Sequence, residues 1–200
     1  MTYASTLQLF FHPSAFSSSS SHAPNAPISL TYIALDRHQQ PKDLTTTLRF
    51  FLQLLRASLH ALPQSSTRIK DLLALISSGW QLATSVAESG RRLHLLHPTS
   101  TQILSDERLA VTTSILLEKV RTKVEVSFEL AVAAGVGAGA EMSVGLETGV
   151  RVVYGEAYNE GKMGKVVREV VAGRGVEGWE EAVKEVEGRL RAQGSKGLRR

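Results

Sequence analysis

Two short apolar stretches near the start of the chain predict β-strands. Residues 7–11 form the first, and residues 28–33 form the second after a serine-rich segment at 17–21. In the second stretch apolar residues alternate with Ser29 and Thr31, which is the period of a strand buried on one face. We therefore expect two strands that flank a loop.

The next segment has the period of an amphipathic helix. Asp43 is a suitable N-cap and Pro63 a suitable stop. The apolar residues between them recur at helical spacing and form one face: Leu44, Leu48, Phe51, Leu52, Leu55, Leu59 and Leu62. A helix is expected over residues 43–62.

A second and longer apolar stripe follows a polar break at residues 64–67. Its members are Ile69, Leu72, Leu73, Ile76, Trp80, Ala83, Ala87 and His94, and it ends near Pro98. Asp71 in the first turns and Arg91 and Arg92 in the last turns have the signs that the helix dipole favours. This stripe predicts a second helix.

The period changes to two after Thr101. Three alternating stretches, at 109–117, 123–132 and 142–154, predict antiparallel strands with one solvated face, and Ile103 is assigned to a shorter strand before them. The glycine-rich residues 135–139 are interpreted as a turn.

Two further helical stripes close the chain. One runs from Met163 to Val171 and the other from Trp179 to Leu190, with glycines at 173–178 between them. Because the helices and strands do not alternate as βαβ units, the sequence predicts an α+β fold in which helices pack on one face of an antiparallel β-meander sheet.

Composition and charge restrict the function. The 200 residues are 42% hydrophobic and contain no cysteine, which excludes disulfides, thiolate nucleophiles and cysteine-ligated metals. No apolar run reaches the roughly 20 residues of a membrane span, and residues 1–22 lack a secretory signal, so we expect an intracellular protein without membrane contact. The formal charge is +4, but the cations are dispersed, which argues against direct DNA binding.

None of the polar motifs predicts catalysis, a cofactor or a metal. Residues 135–140 fit G-x-G-x-x-A, but the segment that follows alternates as a strand and offers no helix N-terminus to a pyrophosphate. His94 and His97 lack a third ligand at a supporting spacing. A hydrolase would require a nucleophile such as Ser105 hydrogen-bonded to a histidine. We therefore expect a protein that is not an enzyme and binds no small-molecule substrate.

Several strings resemble the C-terminal region of the fungal kinetochore-null (Spc-seven) outer-kinetochore scaffold family. They follow a strand at residues 9–13 and are TTTLRFFLQLLRA at 45–57, LPQS at 62–65, SGW at 78–80, ILSD at 103–106, VRTKV at 120–124 and VYGE at 153–156. The resemblance extends to residue 189. Since family members are far longer, it also implies that the chain is a fragment of a scaffold.

The resemblance implies a fold of tandem RWD modules, which are related to ubiquitin-conjugating enzymes but lack the catalytic cysteine. The expected division is an abbreviated module at 1–65, a second module at 66–193 and a flexible tail at 194–200. It further implies docking onto the Mis-twelve (Mind) complex, through the C-terminal tail of its Nsl-one (Mis-fourteen) subunit, at the kinetochore of the centromere in the nucleus. The resemblance therefore implies a role in cell division and chromosome segregation.

The partner tail is expected along a sheet edge or in a groove between modules, because edge strands carry unpaired N–H and C=O groups. The candidate partner-binding residues are Arg121, Lys123, Arg151 and Tyr154. An ordinary surface role is the alternative for each of them. The alternative function is a cysteine-less ubiquitin-conjugating-like adaptor in a ubiquitin-pathway assembly.

Overall fold

The computed structural model describes residues 2–3, 7–10, 28–32, 45–62, 68–118, 121–134, 142–155 and 158–197. In chain order the elements are β1 (Thr2–Tyr3), β2 (Leu7–Phe10), β3 (Ser29–Tyr32), α1 (Thr46–Ala61), α2 (Ile69–Leu96), β4 (Thr99–Ser105), β5 (Arg108–Leu117), β6 (Thr122–Ala134), β7 (Met142–Tyr154), α3 (Glu160–Arg174), a 3-10 turn (Gly175–Gly178) and α4 (Trp179–Gly197). The predicted loop at 17–21 and turn at 135–139 lie outside the described residues.

The strands form two sheets, one with the order β1-β2-β3 and one with the order β4-β5-β6-β7. Each strand of the second sheet neighbours the next one in sequence, which is the predicted meander. The α+β class predicted from the change of period is confirmed.

The chain folds as two compact units. Unit 1 comprises Met1–Ala83 and Val132–Ser143, and unit 2 comprises Thr84–Ala131 and Val144–Arg200. The division into RWD modules that the resemblance implies stays a prediction.

In unit 1 the small sheet packs its apolar side chains inward. Leu9 of β2 pairs in register with Leu30 of β3, and both are buried. The guanidinium of Arg56 on α1 donates from Nε to the Leu30 carbonyl at 2.9 Å. This hydrogen bond ties the helix to the backbone of the sheet.

Helix α1 begins slightly later than predicted. The hydroxyl of Thr45 accepts a hydrogen bond from the backbone N–H of Leu48 at 3.3 Å and so caps the first turn. Thr45 therefore has the role that the sequence assigned to Asp43, which lies outside the described residues. The helix ends at Ala61, before Pro63, as expected.

Close packing in unit 1 depends on a glycine in α2. A Cβ added at Gly79 would lie 2.8 Å from Sδ of Met142 and 2.9 Å from Cδ2 of Leu55, closer than real side chains approach. The missing side chain lets α2 pack directly against both residues.

The buried face of α2 follows the predicted stripe only in its first half. Leu72, Ile76, Trp80 and Ala83 are buried as expected, but the second half buries Val86, Ser89 and Leu93. His94, predicted in the stripe, is exposed. The prediction was also wrong for Ile69 in the first turn, which is 56% exposed.

The large sheet of unit 2 confirms the alternation in its central strands. In β5 the odd-numbered residues from Leu109 to Leu117 are buried, and in β6 the even-numbered residues from Val124 to Val132 are buried. Strand β4 begins at Thr99 and is longer than the sequence indicates, since its polar composition hides the pattern. In β7 the expected inward residues are only half-buried or exposed.

The closing helices α3 and α4 follow this sheet in the chain, and α4 packs on its buried face. The side chain of Asn159 accepts from the N–H of Lys162 at 2.9 Å and caps α3, which ends at Gly175 with φ 59°. The indole of Trp179 in α4 stacks on Phe128 of β6 with ring centroids 4.6 Å apart. The two large rings anchor α4 to the sheet, in agreement with the predicted arrangement.

Candidate partner-binding surface

The four candidate residues lie at one end of the β6–β7 pair. Arg121 occupies the turn before β6, Lys123 is the second residue of β6, and Arg151 and Tyr154 belong to the last four residues of β7. Because β6 and β7 are neighbours in the sheet, the start of one strand lies beside the end of the other. The fold therefore brings together residues separated by 28 to 33 positions of sequence.

A glycine closes this end of the sheet. Gly155 has φ +105°, and a Cβ there would overlap the side chain of Thr122 and lie 2.7 Å from the carbonyl oxygen of Arg121. Only glycine meets both conditions without strain. The backbone after Tyr154 can thus contact the turn that carries Arg121.

One carboxylate links two of the candidate cations. Glu125 contacts Nζ of Lys123 at 2.9 Å and Nη2 of Arg151 at 2.8 Å. Hydrogen bonds from Arg151 and from Lys123 hold the pKa of Glu125 below its ordinary value. Lys123 and Arg151 are therefore partly neutralised, and the three side chains carry a net charge of one.

Arg121 and Tyr154 complete the surface. Arg121 is exposed and adopts φ 48°, in the left-handed region that few residues other than glycine occupy. Tyr154 is 50% exposed and its neighbour Val153 is 42% exposed. An aromatic ring beside cations can contact both apolar and acidic groups of a polypeptide.

The outer edge of β7 is occupied near this surface. The backbone N–H of Val152 donates to a carboxylate oxygen of Glu160, the first residue of α3, at 2.7 Å. A strand added along β7 would have to displace that carboxylate. The candidate residues are therefore better placed to bind side chains than to extend the sheet.

A second charge cluster lies on the same sheet. Nη2 of Arg108 contacts Glu129 at 2.9 Å and Glu147 at 3.7 Å. The sequence interpretation missed this cluster, together with Glu125 and Glu160, because each contact depends on which residues face one another across strands. The alternation placed Glu125 and Glu129 on the solvated face of β6 but did not pair them with a cation.

The other chemistry considered from the sequence has structural explanations. Ser105 Oγ accepts from the backbone N–H of Glu107 at 3.3 Å, as in a hydroxyl-stabilised turn. Nε2 of His97 lies 3.4 Å from Glu187 of α4. In the described part of the chain, no three His, Asp or Glu residues are grouped so that they could hold a metal ion. The glycine motif at 135–140 lies outside the described residues.

None of the described helices combines the length and the apolar character that crossing a bilayer requires.

Comparison with known proteins gives one family match. The model of the Knl1 RWD C-terminal domain matches residues 1–87, which contain β1 to β3, α1 and most of α2. A comparison with curated proteins finds no match. The match confirms the resemblance that the sequence strings indicate, and it ends before the sheet that carries the candidate residues.

Knl1 RWD domains are protein-interaction modules of the kinetochore scaffold, associated with the centromere in the nucleus and with chromosome segregation and cell division. Residues 1–87 are therefore similar to the Knl1 RWD C-terminal domain, and this match supports an RWD-containing kinetochore protein of the Knl1/Spc7 family.

Proposed function

We propose that this chain is a non-enzymatic module that anchors an outer-kinetochore scaffold to the Mis-twelve (Mind) complex at the centromere, through the C-terminal tail of the Nsl-one subunit. The observation that carries the proposal is the family match over residues 1–87, since Knl1 RWD domains act as interaction modules in the kinetochore. The family match does not cover most of unit 2, so the participation of unit 2 in this docking is also part of the proposal.

The proposed contact surface is the cluster of Arg121, Lys123, Arg151 and Tyr154. Its cations are exposed or half-exposed, and Glu125 neutralises part of their charge. A partner segment with carboxylates can pair with Arg121 directly and compete with Glu125 for Arg151. We therefore expect the affinity to fall as the salt concentration rises.

Charge reversal tests the surface. In Arg121→Glu/Lys123→Glu, each substitution replaces a cation that faces the partner with an anion, so titration calorimetry against the tail peptide should show at least about a tenfold loss of affinity. The matched control is Lys165→Glu/Arg168→Glu, which makes the same charge change on the exposed face of α3. The control should bind like the unaltered chain.

Co-elution of the full chain with the reconstituted Mis-twelve complex in size-exclusion chromatography tests the function itself. Failure to co-elute would remove the anchoring proposal, whereas co-elution with unchanged affinity of the double variant would remove only the proposed surface. Co-elution with a ubiquitin-conjugating assembly in place of the Mis-twelve complex would favour the adaptor alternative.

A further inference from the structure

Strand β4 forms an edge of the large sheet that its sequence does not protect. In the described part of the chain, β4 pairs with β5 and with no other strand. Its seven residues read TSTQILS and contain no charge, proline or glycine. Natural edge strands are usually blunted by such residues because unpaired backbone groups attract other strands.

The register shows which backbone groups of β4 point away from the sheet. The N–H of Ser114 in β5 donates to the carbonyl of Pro98 at 2.9 Å, so even-numbered residues at this end of β4 bond to β5. The N–H and C=O groups of Thr99, Thr101 and Ile103 therefore face outward. They form a regular row along the open edge.

Strand β7, at the opposite edge of the same sheet, carries residues that protect it from strand addition. Strand β7 carries Arg151, Glu147 and two glycines, and the outward N–H of Val152 is bonded to Glu160. These features resist strand addition. The contrast singles out β4 as the edge that can accept another strand.

Exposed apolar side chains lie at both ends of β4. Leu95 and Leu96 end the helix that precedes the strand and are 72% and 41% exposed. Ile103 and Leu104, near its other end, are 40% and 44% exposed. An antiparallel neighbour with the same sequence would bring Ile103 and Leu104 of one copy towards Leu95 and Leu96 of the other.

We propose that β4 pairs with β4 of a second copy of this chain, antiparallel and around a two-fold axis at Thr101. In this register Thr101 faces its own equivalent, and Ile103 faces Thr99 of the partner copy, three residues from Leu96. The contact is isologous, so each copy uses the same surface. The two β4 strands bring no charges together, and the pairing forms a continuous eight-stranded sheet.

The second copy is favoured over a foreign peptide because this edge matches itself in three respects. Its outward groups repeat symmetrically about Thr101, its apolar residues lie at both ends, and it has no charge that would select an oppositely charged partner. This inference does not depend on the proposed docking to the Mis-twelve complex.

Sedimentation velocity of the full chain over a concentration series measures the association. Thr101→Pro removes an outward N–H from each copy without removing a bond to β5, so the dimer should weaken about thirtyfold. The matched control is Val144→Pro. Val144 is even-numbered in β7 like Val152, whose N–H points outward, so this proline also removes an outward N–H and should leave the dimer unchanged. Circular dichroism establishes that both variants are folded.

Opposite charges at the axis test the register independently of proline. Thr101→Lys and Thr101→Glu should each weaken self-association, since identical charges would face one another, and an equimolar mixture of the two should restore it. A chain that stays monomeric up to high concentration overturns the proposal. A dimer that Thr101→Pro does not weaken, or that the mixture does not restore, also overturns it.

Discussion

At the residue scale, Glu125 controls the charge of the proposed binding surface. Its carboxylate is only 19% exposed and accepts from cations on its own strand and on the neighbouring strand. Partial burial strengthens both contacts relative to ion pairs in open solvent. The carboxylate also joins Arg151 of β7 to β6 through a 2.8 Å contact.

Glu125→Gln should lower stability in a pH-dependent way. The pKa of Glu125 is below its ordinary value of 4.5 in the folded chain, so its ion pairs stabilise the fold above that value. The contribution is lost as the pH falls through the folded-state pKa. The difference in unfolding free energy between the unaltered chain and Glu125→Gln, measured in urea, should therefore be clear near neutral pH and should shrink as the pH is lowered below 4.5.

The control for this prediction is Glu169→Gln. Glu169 lies 3.8 Å from Lys165 and is 64% exposed, so its removal should change stability little at neutral or acidic pH. An equal effect of Glu125→Gln at neutral and acidic pH would show that the carboxylate contributes through packing and not through charge.

Arg121→Gly should slightly stabilise the chain while it weakens partner binding. The left-handed φ of 48° is unfavourable for arginine and free for glycine, although glycine loses more entropy on folding, so the net gain is about 0.5 kcal/mol. Thermal unfolding and calorimetry measure the two effects separately. Lys123→Gly, within β6, should destabilise instead, and a similar loss in both variants would contradict the argument.

At the element scale, the helix glycines divide into two groups. Gly79 is crowded, because side-chain atoms of Met142 and Leu55 fill the space that its Cβ would occupy. At Gly164 in α3 and Gly188 in α4, an added Cβ would meet no neighbouring atom of the described residues within 4 Å. Packing among the described residues therefore does not require glycine at position 164 or 188.

Gly164→Ala and Gly188→Ala should each stabilise the chain by about 0.5–1 kcal/mol, because alanine has the higher helix propensity. The same substitution at Gly79 should destabilise it by about 1–3 kcal/mol through overpacking. Melting temperatures of the three variants provide the measurement. A stabilised Gly79→Ala would show that Met142 and Leu55 can move aside.

At the scale of the whole molecule, single elements contribute to both compact units. Helix α2 belongs to unit 1 up to Ala83 and to unit 2 beyond it. Strand β6 enters unit 1 at Val132, and β7 returns to unit 2 at Val144. A helix cannot easily unfold in one half only, since its hydrogen bonds form a continuous ladder. We therefore expect the units to unfold together.

Two tryptophans test this cooperativity. Trp80 belongs to unit 1 and Trp179 to unit 2, so Trp179→Phe leaves a probe of the first and Trp80→Phe a probe of the second. In urea, the fluorescence transition of each variant should coincide with its own transition by circular dichroism. A fluorescence midpoint that differs from the circular dichroism midpoint in either variant would show that one unit unfolds alone.

Much of the fold was predictable from local patterns. The alternation from Leu109 to Leu117 identified a strand and its buried face, and the helical spacing before Pro63 identified α1. Strand β4 was less visible because five of its seven residues are polar, and its pairing with β5 decides its extent. For the candidate surface, the sequence indicated Lys123 and Arg151 as separate cations but not the carboxylate that joins them.

The amino-acid sequence by itself determined most of the elements and the α+β class, and its motif strings indicated the family resemblance, because periodicity, capping residues and motif strings act over a few neighbouring positions. It gave no sign of β1. Tertiary structure alone decided that Glu125 bridges Lys123 and Arg151 and that Gly155 closes the sheet against Thr122. It also decided that, among the described residues, Glu160 covers one edge of the large sheet while β4 pairs only with β5. These features depend on strand register and helix placement, which arise from contacts between residues distant in the chain.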